Sequence, residues 1–468
     1  MSSLSPDSAS ERLKRARIIV ASLIGTTIEF FDFYIYATAA VSVFPLLFFP
    51  SGHAGAALLA SMATFGVAFV ARPIGSILFG HFGDRMGRKT TLIGSLLLMG
   101  VATFLIGLLP TYQQIGLLAP TLLAILRFCQ GLGLGGEWSG AALLAAENAA
   151  PGQRARAAMW PQLGAPFGFI LANGFFLLLT VVFQYDSTVA SPQDAFLVWG
   201  WRVPFLLSIG MVMLGLYVRV KLEETPVFTR AVARGEKLDS PLRHVLRHNL
   251  REILLGMFVM VATYGVFYVM TTWMLSYAIG KVDQGFLGVG YRDFLVLQLV
   301  SVLFFAAFIP LAGALADRYG RRNFLRVVTV ALMLFGLSFG TFLSPALMGT
   351  GATVNQGLLL VFLCIGMALM GLSFGPMSAL LPELFPTHTR YTGSGMAYNM
   401  ASILGAALTP FVAAWLARQY GAGAVGWYLV FLCSLSFVAL TLCSESTHTD
   451  LDAMTDEIVA TGIESTSP

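Results

Sequence analysis

Gly80-His-Phe-Gly-Asp84-Arg85-Met-Gly87-Arg88-Lys89 and Gly313-Ala-Leu-Ala-Asp317-Arg318-Tyr-Gly320-Arg321-Arg322 are one string written twice, 233 residues apart in a chain of 468. Each copy sits between two long apolar runs, so each reads as a short charged loop joining two membrane helices. A second echo keeps nearly the same period: Glu147, Pro151 and Arg154 follow Ala-Leu-Leu-Ala-Ala, and Glu383, Pro386 and Arg390 follow Ala-Leu-Leu-Pro. Duplicated halves in a polytopic membrane chain point to a secondary transporter whose site lies between the halves.

Composition supports a lipid solvent. Hydrophobic residues make up 57% of the chain and charged residues 11%, against roughly 25% charged in soluble domains. Mean hydropathy is +0.77. A formal charge of +4 is too small to suggest nucleic acid as a partner. Cys129, Cys364, Cys433 and Cys443 lie inside apolar stretches without paired spacing and read as small buried hydrophobes, not as disulfides or zinc ligands.

Apolar stretches of about 20 residues predict twelve spans. They fall at 18–44, 57–80, 90–109, 119–147, 157–184 and 200–220, then 252–280, 294–316, 324–345, 357–381, 394–417 and 425–443. The expected organisation is an N-terminal segment 1–17, a six-helix bundle 18–220, a central loop 221–251, a second bundle 252–443, and a disordered tail 444–468. His244 and His248 have a metal-ligand spacing, but they alternate with Arg243, Arg247 and Arg251. A basic helix on the membrane surface is the better reading, and no metal is expected. Arginine and lysine collect after helices 2, 4, 8 and 10, before helix 1 and in the central loop. The opposite loops hold only Lys281, Arg292 and Arg418, with Arg202 at the start of helix 6. That asymmetry predicts cytoplasmic termini.

Ionisable groups inside a span are costly and ask for a function. Glu29, Asp32, Arg72, Arg127 and Glu137 are such groups, all in the first half. The second half offers Tyr264, Tyr268, Gln298, Ser373 and Asn399. Glu29 and Asp32 are three apart and share a helix face. A carboxylate whose proton affinity depends on whether an arginine is near is what proton coupling requires, and the competing reading is a static ion pair with Arg127 or Arg72. Asp32, nearer mid-depth, is the first candidate to cycle a proton, with Glu29, Arg127 and Glu137 as its company. Arg72 precedes Pro73, which can free a carbonyl beside a guanidinium able to grip a carboxylate substrate. Arg72 and Arg127 are therefore candidate substrate ligands, with Tyr264, Tyr268, Gln298 and Asn399 facing them. Gly131, Gly133 and Gly136 fit a dinucleotide pattern, yet no strand precedes them. Gly131 and Gly135, like Gly136 and Gly140, suit close helix packing instead. In the doubled string Asp84, Arg85, Arg88, Asp317, Arg318 and Arg321 are candidate gate residues, the aspartates capping the next element and the arginines bridging the halves.

With these residues in view, the chain resembles the major facilitator superfamily, and within it the metabolite:proton symporters. The resemblance rests on the doubled Gly-x-x-x-Asp-Arg-x-Gly-Arg string, Glu29-Phe-Phe-Asp32-Phe, Gln130-Gly-Leu-Gly-Leu-Gly-Gly-Glu137-Trp138, Gly200-Trp-Arg202-Val-Pro204-Phe, Leu222-Glu-Glu-Thr-Pro226-Val-Phe228 and Pro382-Glu383-Leu-Phe-Pro386. It implies an all-α fold of two pseudo-symmetric six-helix bundles in a bacterial inner membrane. It further implies a monomer taking up a small organic acid or zwitterion with protons, using no cofactor, and it carries gating to Asp84, Arg85 and Arg88 and coupling to Arg127. Cys443-Ser-Glu-Ser-Thr-His after the last span lacks the sugar-porter ending. Gly164-Ala-Pro166-Phe-Gly168 partly matches drug antiporters, so proton-coupled efflux is the alternative. A membrane enzyme is disfavoured because no nucleophile–base pair or phosphate loop stands out.

Overall fold

In a computed structural model the described residues are 9–49, 54–86, 88–147, 153–185, 193–220, 241–385 and 390–444. Among the described residues twelve helices are long and apolar enough to cross a membrane, and no strand occurs. We number them α1 (Ile19–Ser42), α2 (Gly55–Phe79), α3 (Thr90–Leu108), α4 (Leu118–Leu143), α5 (Arg154–Val182) and α6 (Phe196–Val220). The second set is α7 (Leu250–Ile279), α8 (Tyr291–Tyr319), α9 (Arg321–Phe342), α10 (Gln356–Glu383), α11 (Arg390–Tyr420) and α12 (Ala422–Leu442). No end differs from the sequence expectation by more than four residues. Much of the central loop, residues 221–240, and the tail from 445 lie outside the described residues. The short helix Pro241–His248 is described, with Val245 packed against Ile253, Phe385 and Met396 while Arg247 and His248 are exposed.

The two halves repeat one packing scheme. In the first, α1 packs on α5, α2 on α4 and α3 on α6; in the second, α7 packs on α11, α8 on α10 and α9 on α12. Glycines set the closest of these approaches. A methyl at Gly131 or Gly135 of α4 would stand 2.4 Å from the Ala68 carbonyl oxygen or 2.1 Å from that of Arg72. One at Gly371 or Gly375 of α10 would stand 2.7 Å from the Phe305 carbonyl oxygen or 2.9 Å from that of Ile309. Only hydrogen in place of a side chain lets these backbones meet. Between the halves, α2 packs against α11 and α5 against α8.

The doubled string is not a loop. The helix containing α2 continues to Met86 and the next begins at Arg88, while α8 ends at Tyr319 and α9 begins at Arg321. In the second copy the turn is Gly320 alone, at φ 87°, a left-handed conformation that favours glycine. The Asp-Arg pair therefore extends the preceding helix, and only one residue has to turn.

Candidate functional site

Several helices are interrupted or distorted where the halves meet, among them α11, whose π-helical turn Ile403–Ala407 packs against α2. α4 breaks after Gly135, α5 turns at Leu163 beyond Pro161, α10 breaks at Gly375 and Pro376, and α7 carries a π-helical turn over Val269–Trp273. Such breaks free backbone carbonyls, which inside a membrane must find donors. Here the partner half supplies them. Asn399 Nδ2 donates to the Gly135 carbonyl at 3.1 Å, the Tyr391 hydroxyl to that of Gly136 at 2.6 Å, and Gln162 Nε2 to that of Phe374 at 3.0 Å. Ser378 Oγ donates to the Ala158 carbonyl at 2.8 Å.

These contacts close the seam on the face where the doubled strings lie, here termed the basic face. Asp317 completes the closure by accepting from the amides of Ala155 at 3.2 Å and Arg156 at 3.1 Å, both in the first turn of α5. It thus caps a helix of the opposite half, not the next element of its own. Arg321 is wholly buried behind it, 3.2 Å from Asp317 and 3.1 Å from Glu383, with Arg154 3.9 Å from Glu383. Arg318 is exposed and lies over the ring of Tyr319, away from this network. The side chains of Asp84, Arg85 and Arg88 lie outside the described structure.

The far face is closed as well. Arg292, at the start of α8, donates to the carbonyls of Thr180 at 2.6 Å and Tyr185 at 2.8 Å, at the end of α5. Tyr291 donates to Ser42 at 3.4 Å, and a methyl at Gly55 of α2 would stand 2.2 Å from Arg418 of α11. Arg292 and Arg418 were read from sequence only as topological markers, and both lie across the seam.

Between the two closures is a cavity of about 20 Å³, lined by Phe30, Arg72 and Ala165 from one half and by Tyr264, Phe267, Tyr268, Phe305, Phe374 and Tyr398, among others, from the other. That volume holds about one water, so both faces shut on a small closed chamber. Among the described residues Arg72 is its only charged lining group. The Arg72 guanidinium lies 5.0 Å from the ring centre of Phe33 and 4.9 Å from that of Phe69, and its buried Nε has no hydrogen-bond partner. Of the expected substrate ligands, Arg72, Tyr264 and Tyr268 line the chamber. Gln298 instead donates to the Met270 and Thr271 carbonyls of the π turn, and Asn399 is spent on the seam.

Arg127 sits in a separate compartment. It is fully buried over the ring of Tyr36 at 3.9 Å and those of Phe33 and Phe65 at 5.0 Å, and it donates to Gln130. Gln130 in turn donates to Thr103 Oγ1 at 2.9 Å and to the Asp32 carbonyl at 3.2 Å. Thr103 Oγ1 lies 3.2 Å from Asp32 Oδ2. Asp32 and Arg127 are therefore linked by two neutral side chains and make no direct ion pair. Glu29 Oε2 and Asp32 Oδ1 are buried without hydrogen-bond partners. The static ion pair of the competing reading, between α1 and either arginine, is absent among the described residues. Glu137 pairs instead with Arg219 of α6. Neither Arg219 nor Thr103 was singled out from sequence: one closes an apolar run next to the loop, and the other is an ordinary threonine until its neighbours are known.

The geometry can be set beside known proteins. The family model described as Major Facilitator Superfamily matches residues 22–403 and 300–457. The inner membrane metabolite transport protein YhjE of Escherichia coli is 52% identical over 93% of this chain and 96% of its own length. The shikimate transporter of the same bacterium is 34% identical over 94% of this chain and 97% of its own. The glycine betaine/proline/ectoine/pipecolic acid transporter OusA of Dickeya dadantii is 34% identical over 87% and 78%. Among solved structures, the proton:xylose symporter XylE superposes with a TM-score of 0.72 at 17% identity, covering 95% of this chain and 99% of its own. At that identity the superposition speaks for the fold.

Proposed function

This chain belongs to the major facilitator superfamily, and from that premise we propose that it takes up a small organic carboxylate together with protons by alternating access. It is a multi-pass membrane transporter, not an enzyme. The observation that carries the substrate reading is Arg72, a buried cation that makes no ion pair among the described residues and lines the chamber between the halves. A guanidinium left over aromatic faces retains its hydrogen-bonding fork for a carboxylate. Tyr264 and Tyr268 would flank the ligand. The names of the relatives, which include carriers of shikimate, proline and betaines, agree with that class.

The proton would ride on Asp32. Thr103 and Gln130 connect it to Arg127, so protonating the carboxylate changes what Thr103 can donate to and what Gln130 holds. Glu29, within electrostatic reach of both Arg72 and the Glu137–Arg219 pair, would carry that change toward the substrate arginine. The basic face is assigned to the cytoplasm of a bacterial inner membrane, with Asp317 and Arg321 gating it in a monomer; Asp84, Arg85 and Arg88 complete the proposed gate set, and Arg318, exposed over Tyr319, is left out of it.

Proteoliposomes with an imposed inside-alkaline gradient, offered labelled carboxylates, aromatic acids and betaines, test the reading. We expect gradient-driven accumulation of a carboxylate. Asp32→Asn should abolish that accumulation while sparing exchange between equal concentrations on the two sides. Accumulation indifferent to the gradient refutes coupling, and expulsion against the gradient replaces symport with efflux.

A further inference from the structure

We propose that the chamber is a one-carboxylate site and that Phe33 makes it so, by walling Arg127 off from the ligand. The inference deepens the carboxylate reading and rests on it. Besides Arg219, which is paired with Glu137, this half holds two buried guanidiniums, those of Arg72 and Arg127, and a dicarboxylate would need both. One ring lies against both: the centroid of Phe33 is 5.0 Å from the guanidinium carbon of Arg72 and 5.0 Å from that of Arg127. Arg72 lines the chamber, while Arg127 is fully buried in its own aromatic enclosure. Phe65 and Tyr268 brace the partition, with ring centroids 5.2 and 6.0 Å from that of Phe33.

Apart from Arg72, the described residues lining the chamber would offer a second carboxylate aromatic, aliphatic, thioether and hydroxyl groups. Desolvating an ionised carboxylate without a cation is costly. The remainder of a monocarboxylate faces rings instead. Ring faces accept an apolar ring, or a cationic ammonium centre through its attraction to the aromatic quadrupole. The ligand is thus a monoacid whose other end is a ring or a quaternary or secondary ammonium. Phe33 also separates the substrate cation from the cation of the proposed proton relay, so two similar arginines in one helix bundle are given different tasks.

Matched ligand pairs test this on the purified full-length protein, by thermal stabilisation and by competition for uptake. The probes are benzoate against phthalate, cyclohexanecarboxylate against cyclohexane-1,2-dicarboxylate, and butanoate against succinate, with proline betaine alongside. The expected result is binding of at least one monoacid, with its diacid twin at least about tenfold weaker, and loss of binding in Arg72→Gln. Phe33→Leu, which keeps an apolar filler, should narrow the mono-to-diacid ratio by admitting Arg127. A wild-type protein that binds a diacid as tightly as its twin overturns the proposal, whatever Phe33→Leu does. An unchanged ratio in a folded Phe33→Leu protein overturns the role of the ring. Binding of neutral or cationic compounds with no carboxylate bound at all overturns the carboxylate reading itself, and this inference with it.

Discussion

The two ends of the α5–α8 pair are fastened by opposite charges, both carried by α8. At the basic face Asp317 meets the first-turn amides of α5, and at the far face Arg292 meets its last carbonyls. Each charge has the sign that the nearby end of the α5 dipole attracts. The ends differ in backing. Asp317 is one member of a network with wholly buried Arg321, Glu383 and Arg154, whereas Arg292 is joined by a 3.4 Å contact between Tyr291 and Ser42 and by Arg418 packed on Gly55. The lesson is that the far clasp is the simpler one to release and the basic clasp the deeper one. Alternation requires both to open, one at a time.

Removing the keystone of the deeper clasp should have the largest effect. Arg321→Ala leaves Asp317 and Glu383 beside an emptied buried site, and should cost about 3–5 kcal/mol. Detergent melting should fall, and a cysteine at Ser378 should become reactive from the basic face. Arg292→Gln comes next. Losing charged donation to two carbonyls should cost about 2 kcal/mol, roughly a thirtyfold shift toward a conformer open at the far face. Maleimide labelling of Ser42→Cys from that face reads it. Asp317→Asn keeps the shape and removes the charge on the helix end, a change of about 1–2 kcal/mol in the opposite direction, read by the same cysteine at Ser378. Arg318→Ala, exposed beside Tyr319, should leave stability within about 0.5 kcal/mol and labelling unchanged. If Arg318→Ala opens the basic face as widely as Arg321→Ala, the network is wrongly drawn.

The span pattern was legible because apolar length is a property of each segment alone, and all twelve helices lie close to where the sequence puts them. The duplication was equally plain, and Gly131 and Gly135 announced the close packing that α10 repeats with Gly371 and Gly375. Partnerships were not legible. Asp32 and Arg127 were each visible as charges out of place, yet the Thr103–Gln130 bridge depends on how α1, α3 and α4 rotate against one another. Glu137 found Arg219, 82 residues away in sequence, because α6 packs on α3 and α1 and Arg219 reaches past the Leu92 carbonyl of α3. Arg292 looked like a loop charge because only the folded seam brings the end of α5 to it. The doubled string was misread as a loop because its charges suggested solvent; helix continues through Asp317 and Arg318, and Gly320 alone makes the turn.

The most direct measurement is a pair of spin-label distances in one set of samples, across the far end of α5–α8 (Val182→Cys with Val296→Cys) and across its basic end (Trp160→Cys with Tyr319→Cys). All four sites are exposed. The account predicts that Arg292→Gln lengthens the first distance alone and Asp317→Asn the second alone. Both distances lengthening together in either variant would contradict it, because the two clasps would then not alternate.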